Sequence, residues 1–138
     1  IWSTRERKPL IEPELKENLF AYLGGIVREM KGKALIVNGM HDHVHLLVEL
    51  PPAVSVAELM RVAKANSSRW IHETRPGHSG FAWQTGYAAF SVSRSHAASV
   101  SRYIAEQEKH HRKRTFQEEL ILFLKKHGIE YDERYLWD

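Results

Sequence analysis

Ala34-Leu35-Ile36-Val37-Asn38-Gly39-Met40-His41-Asp42-His43-Val44-His45-Leu46-Leu47-Val48-Glu49-Leu50 is the stretch whose reading decides the fold. Its two ends, residues 34–37 and 43–50, are apolar runs rich in β-branched residues and read as strands. Asn38-Gly39 and His41-Asp42 supply the turn between them, and so short a connection implies an antiparallel hairpin. Pro51-Pro52 ends it, since proline cannot donate to a strand ladder. Alternation puts Val44, Leu46, Val48 and Leu50 on one face of the second strand and His43, His45, Leu47 and Glu49 on the other. The first set is a continuous apolar stripe, so it fixes which face is buried.

Upstream, residues 1–4 read as the end of a strand. Pro13 then opens a helical pattern in which Leu15, Leu19, Leu23, Ile26, Val27 and Met30 recur on one side. Gly24-Gly25 weaken that helix by roughly 1 kcal/mol each against alanine, and close packing on a sheet would account for them. Downstream, Ser55-Val56-Ala57-Glu58 is a capping box that starts a helix running to about Thr74. A loop over residues 75–80 leads to strand material at residues 81–83 and 87–93, interrupted at Thr85-Gly86. Ser95 is placed to cap a helix through about His111, and Thr115-Phe116-Gln117-Glu118 is a second capping box. The helix it opens carries Phe116, Leu120, Phe123 and Leu124 on one side and stops at Gly128. The aromatic tail, residues 131–137, is expected to dock on its own core or on a partner. The order β-α-β-β-α-β-α predicts an α+β fold on a ferredoxin-like plan. Its four-stranded antiparallel sheet carries helices on one face, and a C-terminal helix is added. Such a plan hosts many functions and selects none.

The chain has 138 residues, which suits one domain over residues 1–138. Apolar residues at 43% and charged residues at 27% exclude disordered and fibrous classes. Cysteine is absent, which excludes a thiol nucleophile, an iron–sulfur cluster and any cysteine-based zinc site. No apolar run approaches the roughly 18 residues of a membrane span. The chain begins at Ile1 and shows no secretory signal, so the expectation is a cytoplasmic protein whose first residues are missing. Twenty Lys and Arg against 17 Asp and Glu give a net charge of +3. Lys109, Arg112, Lys113 and Arg114, with His110 and His111 among them, concentrate that charge, as do Arg5, Arg7 and Lys8. Each cluster reads equally as solvated surface or as a nucleic-acid contact.

His43 and His45 project from one strand face with Cα atoms about 7 Å apart. Neutral imidazoles are common ligands of divalent metals, and two preset on a rigid strand lose little freedom on binding one. The same pair also reads as two strand histidines with no ligand. Asp42 reads as a further ligand or as a turn former, the latter favoured because its side chain stabilises turns, and His41 has no assigned role. Further on, Tyr103 and Gln107 are four residues apart on a helix, hence on one face. Ala97, Val100 and Ile104 supply a core stripe beside them. Periodicity alone leaves Tyr103 as a packing residue with a wet hydroxyl or as a nucleophile, and favours the former.

Taken together, His43-Val44-His45 and Tyr103-Ile104-Ala105-Glu106-Gln107 closely resemble the single-tyrosine HUH transposases (His, hydrophobic residue, His) of the insertion-sequence 200/605 type. The resemblance extends to Trp2-Ser3-Thr4-Arg5-Glu6-Arg7, Asn38-Gly39-Met40, Trp83-Gln84-Thr85-Gly86-Tyr87 and Gly128-Ile129-Glu130-Tyr131-Asp132, and so covers nearly the whole chain. It implies a tyrosine that attacks a phosphodiester of single-stranded DNA, leaving a 5′-phosphotyrosine link and a free 3′-hydroxyl. It gives that role to Tyr103 and makes His43, His45 and Gln107 the ligands of Mg²⁺ or Mn²⁺. Tyr22, Tyr87, Tyr131 and Tyr135 lack a glutamine four residues on. The expected partners are single-stranded DNA bearing a hairpin and a second copy of the chain. Arg61, Lys64, Trp83, Gln84, Arg112, Lys113 and Arg114 are candidate DNA contacts, as a basic groove with aromatic platforms for bases would need. Trp83 reads equally as core. The alternatives are a related HUH nuclease, a host-adopted relative, or a non-catalytic ferredoxin-like nucleic-acid-binding module.

Overall fold

The central strand of the sheet is the one that carries the two histidines. In the computed structural model, which describes residues 1–137, β1 (Trp2–Ser3), β2 (Lys33–Gly39) and β3 (His43–Glu49) pair antiparallel in the order β1-β3-β2. Gly39 stands opposite Val44, and Asn38 stands opposite His45. A bulge between Ala34 and Ile36 shifts the register further along, adding one residue to β2. The hairpin turn closes with the Met40 amide donating to the His43 carbonyl at 3.1 Å. Gly39 is required there, because a Cβ would lie 2.1 Å from the His43 carbonyl oxygen.

The apolar face of β3 is covered by α1 (Pro13–Glu29) and α2 (Val56–Thr74). Leu15, Leu19, Leu23, Ile26 and Val27 of α1 are buried, as the helical spacing predicts. They join Trp2, Val44, Met60, Ala63, Ile71, Phe81 and Trp83 in the main core. Each such large apolar side chain contributes about 1.5–3 kcal/mol when fully buried. Ser55 caps α2 by accepting from the Glu58 amide at 3.1 Å, but the Glu58 carboxylate turns to Arg61 at 2.7 Å and leaves the box half closed. Packing does not demand the glycine pair of α1: a Cβ at Gly24 or Gly25 meets nothing within 4 Å.

Three expectations are corrected. Among the described residues the sheet has three strands, not four. Residues 82–88 do run beside β1: the Arg5 amide donates to the Ala82 carbonyl, the Gln84 amide to Ser3, and the Ala88 amide to Ile1. Between those points the Ser3 amide donates at 2.7 Å to the Gln84 side-chain oxygen instead of a backbone carbonyl. Residues 85–87 loop out, with Lys64 donating to the Thr85 and Gly86 carbonyls at 2.9 and 3.0 Å. Only an isolated bridge, Thr4 opposite Trp83, survives.

Second, helices lie on both faces. α3 (Ala97–Ala105), α4 (Gln107–His111) and α5 (Phe116–Lys126) lie on the histidine side, where Asn38 donates to the Ile104 carbonyl at 2.8 Å and Phe116 stacks on His43. Third, the helix expected to run from Ser95 to His111 breaks at Glu106 (φ −98°, ψ 28°), so Tyr103 and Gln107 sit on two helices. Ser95 itself falls in a 3₁₀ turn, Arg94–His96, ahead of α3.

The capping box that opens α5 is complete, with both the Thr115 and Glu118 side chains closing on backbone amides. Gly128, at φ +63°, follows the helix end in the left-handed conformation that suits glycine. α6 (Glu133–Leu136) and Trp137 fold back on α5, so the tail docks on its own core with Phe116, Leu120 and Leu124. No described helix is long and apolar enough to cross a membrane.

Candidate active site

Strand alternation and helix packing together bring His43, His45, Tyr103 and Gln107 to one buried place. His43 and His45 are 0% and 2% exposed, so they are not the half-exposed strand pair that one strand face alone suggests. Their rings meet edge to face at 5.1 Å, and the His45 ring meets that of Tyr103 at 6.2 Å. The Gln107 Oε1 lies 3.0 Å from His43 Nε2. The break at Glu106 makes this possible, because it lets Gln107 turn under the strand while Tyr103 stays on α3.

Three further residues complete the cluster, and the sequence reading missed two of them, Glu119 and His111. Asp42, read as a turn former ahead of a further ligand, accepts from His43 Nδ1 at 2.7 Å. This contact orients the ring so that its Nε2 faces the cluster. Glu119 of α5 places Oε1 at 2.9 Å from His45 Nε2 and 3.7 Å from His43 Nε2, while its Oε2 accepts from the Tyr103 hydroxyl. His111 places Nε2 at 3.0 Å from Gln107 Oε1 and 3.3 Å from Glu119 Oε2. The available sequence signals were slight. His111 stands four residues after Gln107, and Glu119 is a carboxylate on the same side of its helix as Phe116, Leu120 and Phe123.

Burial governs the electrostatics. It lowers the His45 pKa to about 4, overriding the pull of the neighbouring carboxylate, so this imidazole is neutral near pH 7. Burial alone would raise the Glu119 pKa, but hydrogen bonds from His111, His45 and Tyr103 hold it well below the usual carboxylate range. Burial also pushes the Tyr103 phenol up, and the Glu119 carboxylate pushes it further; Gln107 and the Arg114 charge pull the other way without winning. As held here, Tyr103 keeps its proton. The Gln107 amide is the misfit: its Oε1 meets two imidazoles, while its buried Nε2 has no hydrogen-bond partner among the described residues.

The donor set suits a divalent cation. The nearest ring and carboxylate atoms of His43, His45, His111 and Glu119 all lie within 4.8 Å of one another, and the Gln107 carbonyl points into the same space. Imidazole nitrogen with carbonyl and carboxylate oxygen is the ligand chemistry of Mn²⁺ and its neighbours.

The candidate DNA contacts are not brought together. Trp83 and Gln84 are 7% and 6% exposed, which corrects their reading as open platforms for bases. Trp83 donates from its indole to Ser67 at 2.9 Å and packs edge-on against Trp2 and Phe81, while Gln84 holds the Ser3 amide. Arg61 and Lys64 lie on α2, on the far side of the sheet, where Arg61 pairs with Glu58. An open groove of about 670 Å³ on that side is lined by Arg5, Lys64, Ser68, His72, Trp83 and Gln84, away from the histidines. Arg112, Lys113 and Arg114 are exposed in the link between α4 and α5, and the Arg114 charge acts on Tyr103. Of the other tyrosines, Tyr22 stacks on Trp70, Tyr131 packs on the α5 core, and Tyr87 and Tyr135 are exposed.

Residues 1–107 match a family model described as transposase, IS200-like. The ISDra2 transposase TnpA of Deinococcus radiodurans is 25% identical over 112 residues, which span 78% of this chain and 80% of that protein. A transposase from Deinococcus radiodurans R1, known from its crystal structure, is similar with a TM-score of 0.59. It is 25% identical, and the match covers 77% of this chain and 85% of that one. The family match takes in His43, His45, Tyr103 and Gln107 and stops short of His111 and Glu119.

Proposed function

The chain belongs to the IS200-like transposase family, and from that premise we propose that it cuts and rejoins single-stranded DNA by transesterification through Tyr103. The observation that carries this reading is the convergence of Tyr103 on His43, His45 and Gln107 in one buried cluster within a single chain. The Tyr103 Oη attacks a backbone phosphorus and the bond from phosphorus to the 3′-oxygen breaks. The products are a 5′-phosphotyrosine and a 3′-hydroxyl that takes up a proton equivalent to the one the phenol loses. A later 3′-hydroxyl reverses the exchange on a new end. One phosphodiester replaces another, so no nucleotide hydrolysis is needed.

His43, His45 and Gln107 are the residues that would hold Mg²⁺ or Mn²⁺, and two nitrogens with one amide oxygen suit Mn²⁺ better. Such an ion supplies polarisation of a non-bridging phosphate oxygen. The protein's own part is to position and to shield. Asp42 orients His43, Glu119 holds the Tyr103 proton at Oε2 until substrate arrives, and Arg114 favours the phenolate. Arg112, Lys113 and Arg114, exposed between α4 and α5, would take backbone phosphates. A single strand is the fitting substrate, since a net charge of +3 gives little grip on duplex and the phosphodiester must reach a half-buried phenol. Recognition of a hairpin beside the cut, action as a homodimer in the cytoplasm, and a ferredoxin-like plan with residues 82–88 as an interrupted fourth edge complete the proposal.

The test uses a pool of randomised single-stranded oligonucleotides containing hairpins, incubated with protein and Mn²⁺. A covalent protein–DNA complex that survives denaturation is expected from the wild type and from Tyr87→Phe, and none from Tyr103→Phe. An adduct that persists in Tyr103→Phe, or cleavage by water with no adduct, would refute the proposal.

A further inference from the structure

Glu119 is 2% exposed, and among the described residues all its ion-pair partners are imidazoles: His43, His45 and His111. No lysine or arginine neutralises it. A carboxylate withdrawn from water costs several kcal/mol unless a cation compensates it. Two of the imidazoles are those that would hold the metal, and Glu119 Oε1 faces both, at 2.9 and 3.7 Å. Adjacent ligands of an octahedral Mn²⁺ or Mg²⁺ at about 2.1 Å stand about 3.0 Å apart and opposed ones about 4.2 Å. Ligand atoms of His43, His45, Glu119 and the neighbouring His111 lie within 4.8 Å of one another, so Glu119 and the two strand histidines are within a small inward movement of a shared coordination sphere.

We propose that Glu119 is a fourth protein ligand of the divalent cation, so that α5 completes the metal site. The inference rests on the metal reading of His43, His45 and Gln107 given above. Three neutral ligands give a site with no charge of its own; Glu119 adds one negative charge and a hard oxygen, which favours Mn²⁺ and Mg²⁺ over softer ions. The helix that carries it is built for placement. Its capping box is complete, and Phe116, Leu120 and Leu124 anchor it in the second core cluster. Glu119 also lies beyond residues 1–107, so the ligand comes from the part of the chain that the family match does not cover.

The experiment measures Mn²⁺ affinity of the full chain by the loss of the free-ion electron paramagnetic resonance signal. The absorption spectrum of the Co²⁺ form provides a second readout. Glu119→Gln keeps the shape and removes the charge, and is expected to weaken Mn²⁺ binding at least about tenfold and to change the Co²⁺ bands. Circular dichroism without metal checks folding; if Glu119→Gln fails to fold, Glu119→Asp must show the weakening instead. Mn²⁺ affinity within twofold of wild type in the folded variant, with an unchanged Co²⁺ spectrum, would overturn the inference and leave the three-ligand reading standing. No binding by the wild type, or equal binding by His43→Ala/His45→Ala, would remove the metal reading itself and this inference with it.

Discussion

The two faces of β3 are built from alternate residues of one strand and are both buried at the His43–Val44 end, yet they do different work. Val44, at 0% exposure, packs with the apolar residues of α1 and α2. His43, its neighbour and equally buried, meets Asp42, Gln107, His111, Phe116 and Glu119. The apolar face is held by many interchangeable contacts, each small. The polar face is held by a few hydrogen bonds whose partners come from the hairpin turn and from two separate helices, so each partner matters individually. Burial that stabilises the first face makes the second reactive, because charges excluded from water interact strongly.

Breaking the polar face should remove chemistry first. His43→Ala combined with His45→Ala is expected to abolish metal-dependent cleavage while changing single-strand affinity much less, read by a gel cleavage assay beside fluorescence anisotropy. Undiminished cleavage by that double variant would remove the distinction between the faces. Breaking the apolar face should instead remove stability. Leu19, fully buried on α1, should lose about 2–5 kcal/mol of unfolding free energy on replacement by alanine, measured by urea denaturation. The activity of the molecules that remain folded should be kept; a large fall in their adduct yield would show that the faces are coupled.

The smallest effect is expected at the entrance to α5. Thr115→Ala opens the capping box and should cost about 1 kcal/mol, a fall of roughly 3–4 °C in melting temperature for a domain of this size. Its Mn²⁺ affinity should fall less than that of Glu119→Gln, because the helix keeps its core anchors.

Much of the apolar face was legible in the sequence, since the Val44-Leu46-Val48 alternation and the Leu15-Leu19-Leu23 spacing are local patterns. The two histidines were legible through their alternation on the strand, whereas Tyr103 and Gln107 stood out only through the family resemblance, since periodicity favoured Tyr103 as a packing residue. The rest depended on distance in the chain. Glu119 is 74 residues from His45, and nothing local says that a carboxylate beside a capping box will turn inward. The lost fourth strand turned on one side chain, Gln84, taking the Ser3 amide in place of the backbone. The break at Glu106 has no glycine or proline to announce it, and it moved Gln107 off the helix of Tyr103. Trp83 could be a base platform or core by composition, and the hydrogen bond to Ser67 makes it core.

The most direct test of the central claim is the identity of the atom that becomes linked to DNA. Protein incubated with Mn²⁺ and the single-stranded pool would be denatured and digested, and the linked peptide sequenced by mass spectrometry. The account predicts a nucleotide 5′-phosphate on Tyr103, within the peptide that holds Ile104 and Gln107, and a 3′-hydroxyl on the released strand. A linkage to Tyr22, Tyr87, Tyr131 or Tyr135, or a 3′-phosphate link of the opposite polarity, would contradict it.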